Sequence, residues 1–353
     1  MTDKRLNQAK SFLMALSEHH GVSGYESIIS PIVVQEFKSY AEDVQTDRLG
    51  NIYAVKKGEN PHHKIMLAAH MDEIGLMVKK IDSRGFLRFT TIGGVDQRTL
   101  LSQEVIIHGR EQVLGIIGSM PPHLVLEDGD KAVKIEDMGI DVGLSFTEIQ
   151  KIIQVGDIIT MRREPYDLLG GLMAGKSLDD RAGVVALQVC FRELQRIHHA
   201  HDVIAVVTTQ EEVGLRGAIT SAYNLNPDLA IAIDVTHAVT PDTKGQVNIE
   251  LGKGPTIALG PNFHPVVYRL MVEAAQDAHL TYQIEPIPAH SGTDAWAIQV
   301  THAGVPTGLL SIPLRYMHTS VETLDLKDVV HAGMMLAHFI ASLPEDLEEI
   351  LCY

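Results

Sequence analysis

The chain has 353 residues, 45% hydrophobic and 21% charged, a balance that suits a folded protein of enzyme size and excludes a disordered one. Lys and Arg number 29 against 45 Asp and Glu, a net charge of −16 that argues against nucleic acid or an anionic membrane as partner, since both attract basic surfaces. Two cysteines, Cys190 and Cys352, cannot form a disulfide framework and point to a reducing, cytoplasmic setting, and no stretch approaches the ~18 continuous apolar residues of a membrane span.

The opening MTDKRLNQAK lacks the apolar run of a signal peptide and leads into an amphipathic helix over Gln8–Glu18, with a second over Glu26–Tyr40 after the break at Gly21–Gly24. Val44–Thr46 and Asn51–Val55 read as strands around Leu49-Gly50, and the apolar Lys64–Ala69 strand runs straight into His70. From Gly75 to Met161 the texture changes to short strands, clearest at Phe86–Thr91, Glu104–His108, Val113–Ser119 and Asp157–Met161. Gly93-Gly94, Gly109, Pro121-Pro122 and Asp128-Gly129 punctuate them, and Ser145 with Glu148 forms a capping box. This segment reads as a small β domain, a barrel.

Beyond Gly170-Gly171 helices and strands alternate. Helices are expected over Arg181–His198, Gly217–Tyr223, His264–Ala278, Thr293–His302 and Lys327–Leu343, and strands over Val203–Thr208, Leu229–Asp234 and Thr307–Ile312. The expected fold is therefore α/β, a mainly parallel mixed sheet flanked by helices, with a small β-barrel inserted. In domain terms, residues 1–74 plus 165–353 form the catalytic α/β domain and 75–164 the inserted barrel.

Open α/β sheets bind ligands beyond the carboxyl ends of their strands. At those positions stand His70 with Asp72 and Glu73, then Glu211-Glu212, then Asp234, then Arg315 to His318, while Asp179-Asp180 precedes a helix. Close carboxylates raise one another's pKa unless cations intervene, and His, Asp and Glu without cysteine suit zinc, cobalt or manganese in an open catalytic site. A carboxylate with two oxygens can bridge a pair of such ions, and adjacent Glu211 and Glu212 can divide base and ligand duties.

The blocks Ala68-Ala69-His70-Met71-Asp72-Glu73-Ile74-Gly75, Ser177-Leu178-Asp179-Asp180-Arg181-Ala182-Gly183, Thr209-Gln210-Glu211-Glu212-Val213-Gly214, Gly292-Thr293-Asp294-Ala295 and Pro313-Leu314-Arg315-Tyr316-Met317-His318 resemble the cocatalytic metallopeptidases of family M42, which includes the glutamyl and tetrahedral aminopeptidases. The resemblance implies that His70 and Asp234 bind one metal, Glu212 and His318 the other, and that Asp179 bridges both. It implies Glu211 as general base and Asp72 as the group that orients His70. It further implies a zinc-peptidase-like catalytic domain, removal of N-terminal residues from peptides by metal-activated water, and two divalent ions per subunit, Zn2+ or Co2+ foremost and Mn2+ as a further candidate. Dimers assembling into a tetrahedral dodecamer through the barrel complete what it implies.

Other marked residues receive plainer readings. Arg315 holds an acid of the site, Thr293 and Asp294 cap a helix, His264 is a core or capping residue, and Cys190 is buried and inert. His19-His20, His62-His63, His198, His199 and His201 read as surface groups. The alternative functions are a cellulase-like glycoside hydrolase and a non-catalytic scaffold that keeps the fold. Sugar hydrolysis normally uses two carboxylates without metal, and the 5% aromatic content, with Trp296 the single tryptophan, supplies few rings for stacking sugars.

Overall fold

The computed structural model describes residues 3–119, 132–243 and 248–351. The expected turns at Pro121-Pro122 and Asp128-Gly129, and Cys352, lie outside the described residues. The chain opens with helices α1 (Asp3–Glu18) and α2 (Ser30–Phe37), followed by strands β1 (Asp43–Thr46), β2 (Ile52–Lys56) and β3 (Lys64–His70). The single helix expected over 26–40 is broken: a 3-10 turn covers Glu26–Ile28, and α2 begins anew with Pro31 in its first turn, where a missing N–H does no harm.

Strands β4 (Gly75–Ile81), β5 (Leu87–Ile92), β6 (Glu104–His108), β7 (Gln112–Gly118), β8 (Gly139–Asp141) and β9 (Ile158–Met161) close into a barrel in the order β4-β5-β8-β7-β6-β9. Alternate residues fill it: Leu76 and Val78, Leu87 and Phe89, and Val105 and Ile107 are buried together with Ile140 and Ile159. On its outer side Leu114 and Ile116 remain 56% and 57% exposed. The short helix α3 (Phe146–Ile149) carries the expected capping box of Ser145 and Glu148. Strand β4 was not anticipated, because its Lys79-Lys80 pair blurs the alternation.

Strands β10 (Tyr166–Asp167) and β11 (Leu172–Gly175) lead into helix α4 (Leu178–Glu193) and strand β12 (Asp202–Thr208). Helix α5 (Arg216–Leu225), strands β13 (Leu229–His237) and β14 (Thr256–Leu259), helix α6 (Pro265–Asp277) and strand β15 (Gln283–Pro286) follow. Helix α7 (Asp294–Ile298), strands β16 (Thr307–Leu314) and β17 (Glu322–Asp325), and helices α8 (Leu326–Ser342) and α9 (Glu348–Leu351) end the described chain. Eight strands form the main sheet in the order β1-β2-β12-β3-β13-β16-β14-β15, while β10-β11-β17 make a small second sheet. The centre, β12-β3-β13-β16, is parallel, and the sheet turns antiparallel at β1-β2-β12 and at β16-β14.

Both faces of the parallel centre are covered, which explains its continuous apolar runs. Ile65, Leu67 and Ala69 of β3 point into the core shared with α1, α4 and α8. Their neighbours Met66 and Ala68 point to the other face, against Ala218 and Ala222 of α5 and Ala295 and Ile298 of α7. The observed architecture is the expected one, an α/β sheet between helices with a β-barrel inserted after β3. Among the described residues no helix is long and apolar enough to cross a membrane.

Candidate metal centre

His70 is the last residue of β3, and the loop that follows the neighbouring parallel strand β12 carries Glu211 and Glu212. Asp234 lies on β13, which runs three residues further than expected because its register with β16 continues to His237 opposite Leu314. His318 follows β16, and Asp179 and Asp180 open α4. Parallel strands thus deliver these groups to one sheet edge.

Asp179 stands at the centre. Its Oδ1 lies 3.2 Å from His70 Nε2 and its Oδ2 3.3 Å from His318 Nε2. Glu212 Oε1 is 3.4 Å from the same His318 nitrogen, and Glu211 Oε2 is 3.9 Å from His70 Nε2. Ligand atoms of His70, Asp179 and Glu212 all lie within 4.8 Å of one another, as do those of His70, Asp180 and Asp234. All seven residues singled out in the sequence, His70, Asp72, Asp179, Glu211, Glu212, Asp234 and His318, therefore meet in one region.

The role expected of Asp72 changes in detail. Its carboxylate is 3.6 Å from His70 Nδ1, beyond a good hydrogen bond, whereas its own backbone carbonyl accepts from that nitrogen at 3.2 Å. The carboxylate instead accepts the amides of Glu211 at 3.0 Å and Glu212 at 3.3 Å, and the Ser23 hydroxyl at 2.6 Å. The main chain of Asp72 fixes the ring of His70, and its side chain fixes the acidic pair.

Two further acids have no role assigned from the sequence. Asp180 accepts the His70 amide at 3.2 Å and the Gly183 amide at 3.0 Å. Glu322, buried on β17, accepts the amides of Asp179 at 3.1 Å and His318 at 2.9 Å, tying both into place. The doubled Asp179-Asp180 was a visible signal for the first, and nothing local marked the second. A buried cation pair supports the site from behind: Lys176 Nζ meets Glu73 at 2.7 Å and Arg181 meets it at 3.3 Å, while Arg181 also donates to the carbonyls of Leu16 and His19.

Several residues here hold left-handed backbone that non-glycine side chains disfavour: Ser177, Gln210, Tyr316 and His318 all have φ between 53° and 60°. Each sits beside or at a proposed ligand, where such strain commonly accompanies function.

The electrostatics follow from burial. Burial pushes Glu211 up to about 10, with Asp234, Asp294 and Glu212 adding repulsion against the pull of His70. Burial likewise raises Asp234, Asp180 and Glu212. Hydrogen bonds to Asp179 and then Glu212 carry His318 up to about 11. For Asp179, burial is outweighed by its bonds to His318 and His70, so it stays strongly acidic. A buried nest of carboxylates around two imidazoles is chemically suited to divalent cations, whose charge relieves the mutual repulsion.

Other expectations fare unevenly. Arg315 does hold structure, but its Nε donates to the Val239 carbonyl at 2.7 Å and to no acid of the site. Thr293 stands at the N-cap of α7 without a side-chain capping bond, and Asp294 is buried and accepts from Thr208 at 2.6 Å. His201 is no surface group: it is fully buried, with Nε2 donating to the Pro344 carbonyl at 2.8 Å. His20 is half-buried and its ring packs at a tilt of 40° against His108 of the barrel, with ring centres 3.8 Å apart. Cys190 is buried, and burial pushes its thiol up, consistent with an inert side chain.

The family model for M42 glutamyl aminopeptidases matches residues 50–335, a span that contains every ligand candidate above. The chain belongs to that family. It is 41% identical over 318 residues to the lysyl aminopeptidase of Pyrococcus furiosus, an alignment that covers 88% of this chain and 91% of that one. Aminopeptidase APDkam598 from the archaeon Desulfurococcus kamchatkensis is 38% identical with a TM-score of 0.90, covering 96% of each chain. TET1 peptidase of Pyrococcus horikoshii, which can assemble into a tetrahedron or a large octahedral shell, is 32% identical with a TM-score of 0.84, covering 95% of this chain and 100% of that one. This M42 member is accordingly an aminopeptidase, a hydrolase, and its donor set fits the metal dependence of the family.

Proposed function

We propose that the protein removes N-terminal residues from peptides with the help of two divalent cations. His70 and Asp234 would hold one, Glu212 and His318 the other, and Asp179 would be shared between them. The observation that carries this reading is the double engagement of Asp179, one oxygen toward His70 and the other toward His318, at 3.2 and 3.3 Å. Cations bound there supply Lewis acidity, which lowers the pKa of water toward ~7 and polarises the scissile carbonyl. Zn2+ and Co2+ suit the N/O donor set best, with Mn2+ also compatible.

The chain's own residues do the remaining work. Glu211, beside the cluster and not needed as a ligand, takes the proton of the attacking water and passes it to the leaving amine. Asp72 keeps Glu211 and Glu212 in register by gripping their amides, and Glu322 does the same for Asp179 and His318. Glycoside hydrolysis would need only a pair of acids, and leaves the two histidines on Asp179 without a purpose.

The barrel, residues 75–164 with the catalytic part on either side, is proposed as an oligomer contact. Its outward Leu114 and Ile116 and the shell-forming TET1 peptidase support a homo-oligomer, with dimers building a tetrahedral dodecamer.

Chelation followed by add-back tests the metal reading. Exhaustive dialysis against a chelator should abolish cleavage of aminoacyl p-nitroanilides, and Zn2+, Co2+ or Mn2+ should restore it. Cleavage that survives complete metal removal would refute the proposal.

A further inference from the structure

Next to the metal centre lies a pocket of about 330 Å3, a size typical of small-ligand sites. One end is formed by His70, Asp179, Glu211, Glu212, Asp234 and His318. The walls beyond mix apolar side chains, Val235, Ile287, Leu309 and Met317, with serine and threonine hydroxyls, and Glu285 of β15 is also on the lining. No lysine or arginine is among the described lining residues, and His237 is the one other ionisable group there outside the cluster and Glu285.

Glu285 is held in a defined position. Thr236 of β13 donates to its Oε1 at 2.5 Å and Thr256 of β14 to its Oε2 at 2.6 Å. Two hydroxyls leave part of the carboxylate's acceptor capacity unused, since two oxygens offer about four lone-pair sites. No cation partner for Glu285 is found among the described residues.

The spacing is informative. Asp234 and Thr236 lie two apart on β13, so their side chains share a face, about 7 Å apart along the strand. Glu285 bonded to Thr236 therefore sits roughly that far from the metal end of the pocket. A lysine bears its ammonium on a four-carbon stem of comparable reach. The side chains of Val235, Ile287, Leu309 and Met317 suit the stem and a carboxylate suits the tip.

We propose that this pocket receives the side chain of the substrate's N-terminal residue and that Glu285 selects a cationic one, lysine or arginine. The inference rests on the aminopeptidase reading for the direction in which the substrate lies. An acidic N-terminal side chain would meet Glu285 with like charge, and a short aliphatic one would leave the carboxylate unpaired.

The matched pair lysine and norleucine isolates the ammonium, because the stems are nearly the same. Metal-loaded protein should cleave lysyl and arginyl p-nitroanilides with kcat/KM at least tenfold above norleucyl and glutamyl ones, as a charge-assisted hydrogen bond implies. In Glu285→Gln the lysine-to-norleucine ratio should fall about tenfold or more, and in Glu285→Lys the order of lysyl and glutamyl substrates should invert. A wild-type preference for norleucine or glutamate, or a ratio unmoved in Glu285→Gln, overturns the assignment. Calorimetric binding of free L-lysine against L-norleucine gives a readout without turnover. If no aminoacyl substrate is cleaved, the aminopeptidase reading fails, while equal binding of the two amino acids sinks the role of Glu285 separately.

Discussion

Glu211 and Glu73 show how neighbouring acids acquire different duties. Glu211 faces the cluster without a cation of its own, whereas Glu73 lies between Lys176 and Arg181. Replacing Glu211 by Gln keeps the shape and removes the proposed base. We expect kcat/KM to fall by about 10²–10⁴ with the metal content unchanged by elemental analysis. Full activity in that variant would remove Glu211 from the mechanism. His318→Ala should instead lower the bound metal itself, because the ring is one of few neutral donors in the site.

Glu73 governs stability in acid. Burial would raise it, but Lys176 and Arg181, with hydrogen bonds from Lys176 and the Gly21 amide, bring it down to about 2 from an ordinary value of 4.5. A carboxyl lowered on folding stabilises the protein above its ordinary value, and that contribution is lost as pH falls through about 2. Lys176 is itself lowered, burial outweighing Glu73, so the pair contributes less than the shift of Glu73 alone implies. Even so, Glu73→Gln leaves two buried cations uncompensated and should cost about 3–5 kcal/mol at neutral pH. In urea melts of metal-free protein the gap from wild type should narrow steadily below pH 4.5. A gap that stays constant into acid would show that ionisation of Glu73 is not its source.

Helices α4 and α8 cross closely behind the site. A Cβ built on Gly333 would lie 2.5 Å from the Ala186 carbonyl oxygen and 2.5 Å from Val189 Cβ, and the first of these is backbone that cannot swing away. Alanine in a helix gains about 1 kcal/mol over glycine, whereas overpacking typically costs about 1–3 kcal/mol. The clash should win, so Gly333→Ala is expected to lower the melting temperature. An unchanged or higher melting temperature would mean that α8 can shift at little cost. Because Asp179 lies in the first turn of α4, movement here would also reach the proposed metal centre.

Over the whole protein, metal and assembly are expected to act together. A cation that binds the folded chain alone raises its stability by mass action, so chelation should lower the melting temperature as well as activity. Light scattering should give a multiple of the monomer mass, and aspartate at both Leu114 and Ile116 should reduce it if the outer barrel face is the contact. A monomeric wild type would end the oligomer proposal.

The ligand candidates were legible because metal chemistry restricts them to a few residue types, and short apolar runs show where strands deliver them. His70, Glu211-Glu212 and His318 each follow such a run in the sequence, and Asp179 precedes a recognisable helix. The barrel was legible from its turn residues for a similar reason. Strands β14 and β15 passed unread, since four-residue strands near Gly and Pro carry little periodicity. With them went Glu285, whose position depends on hydroxyls of two other strands. Glu322 and the true partners of Asp72 were hidden likewise. Local patterning and chemical type are properties of neighbours along the chain, and they were sufficient to read the catalytic class. Hydrogen bonds between segments far apart in sequence come into being only when the sheet sets its register, and they alone show what holds each candidate ligand and what closes the pocket beside it.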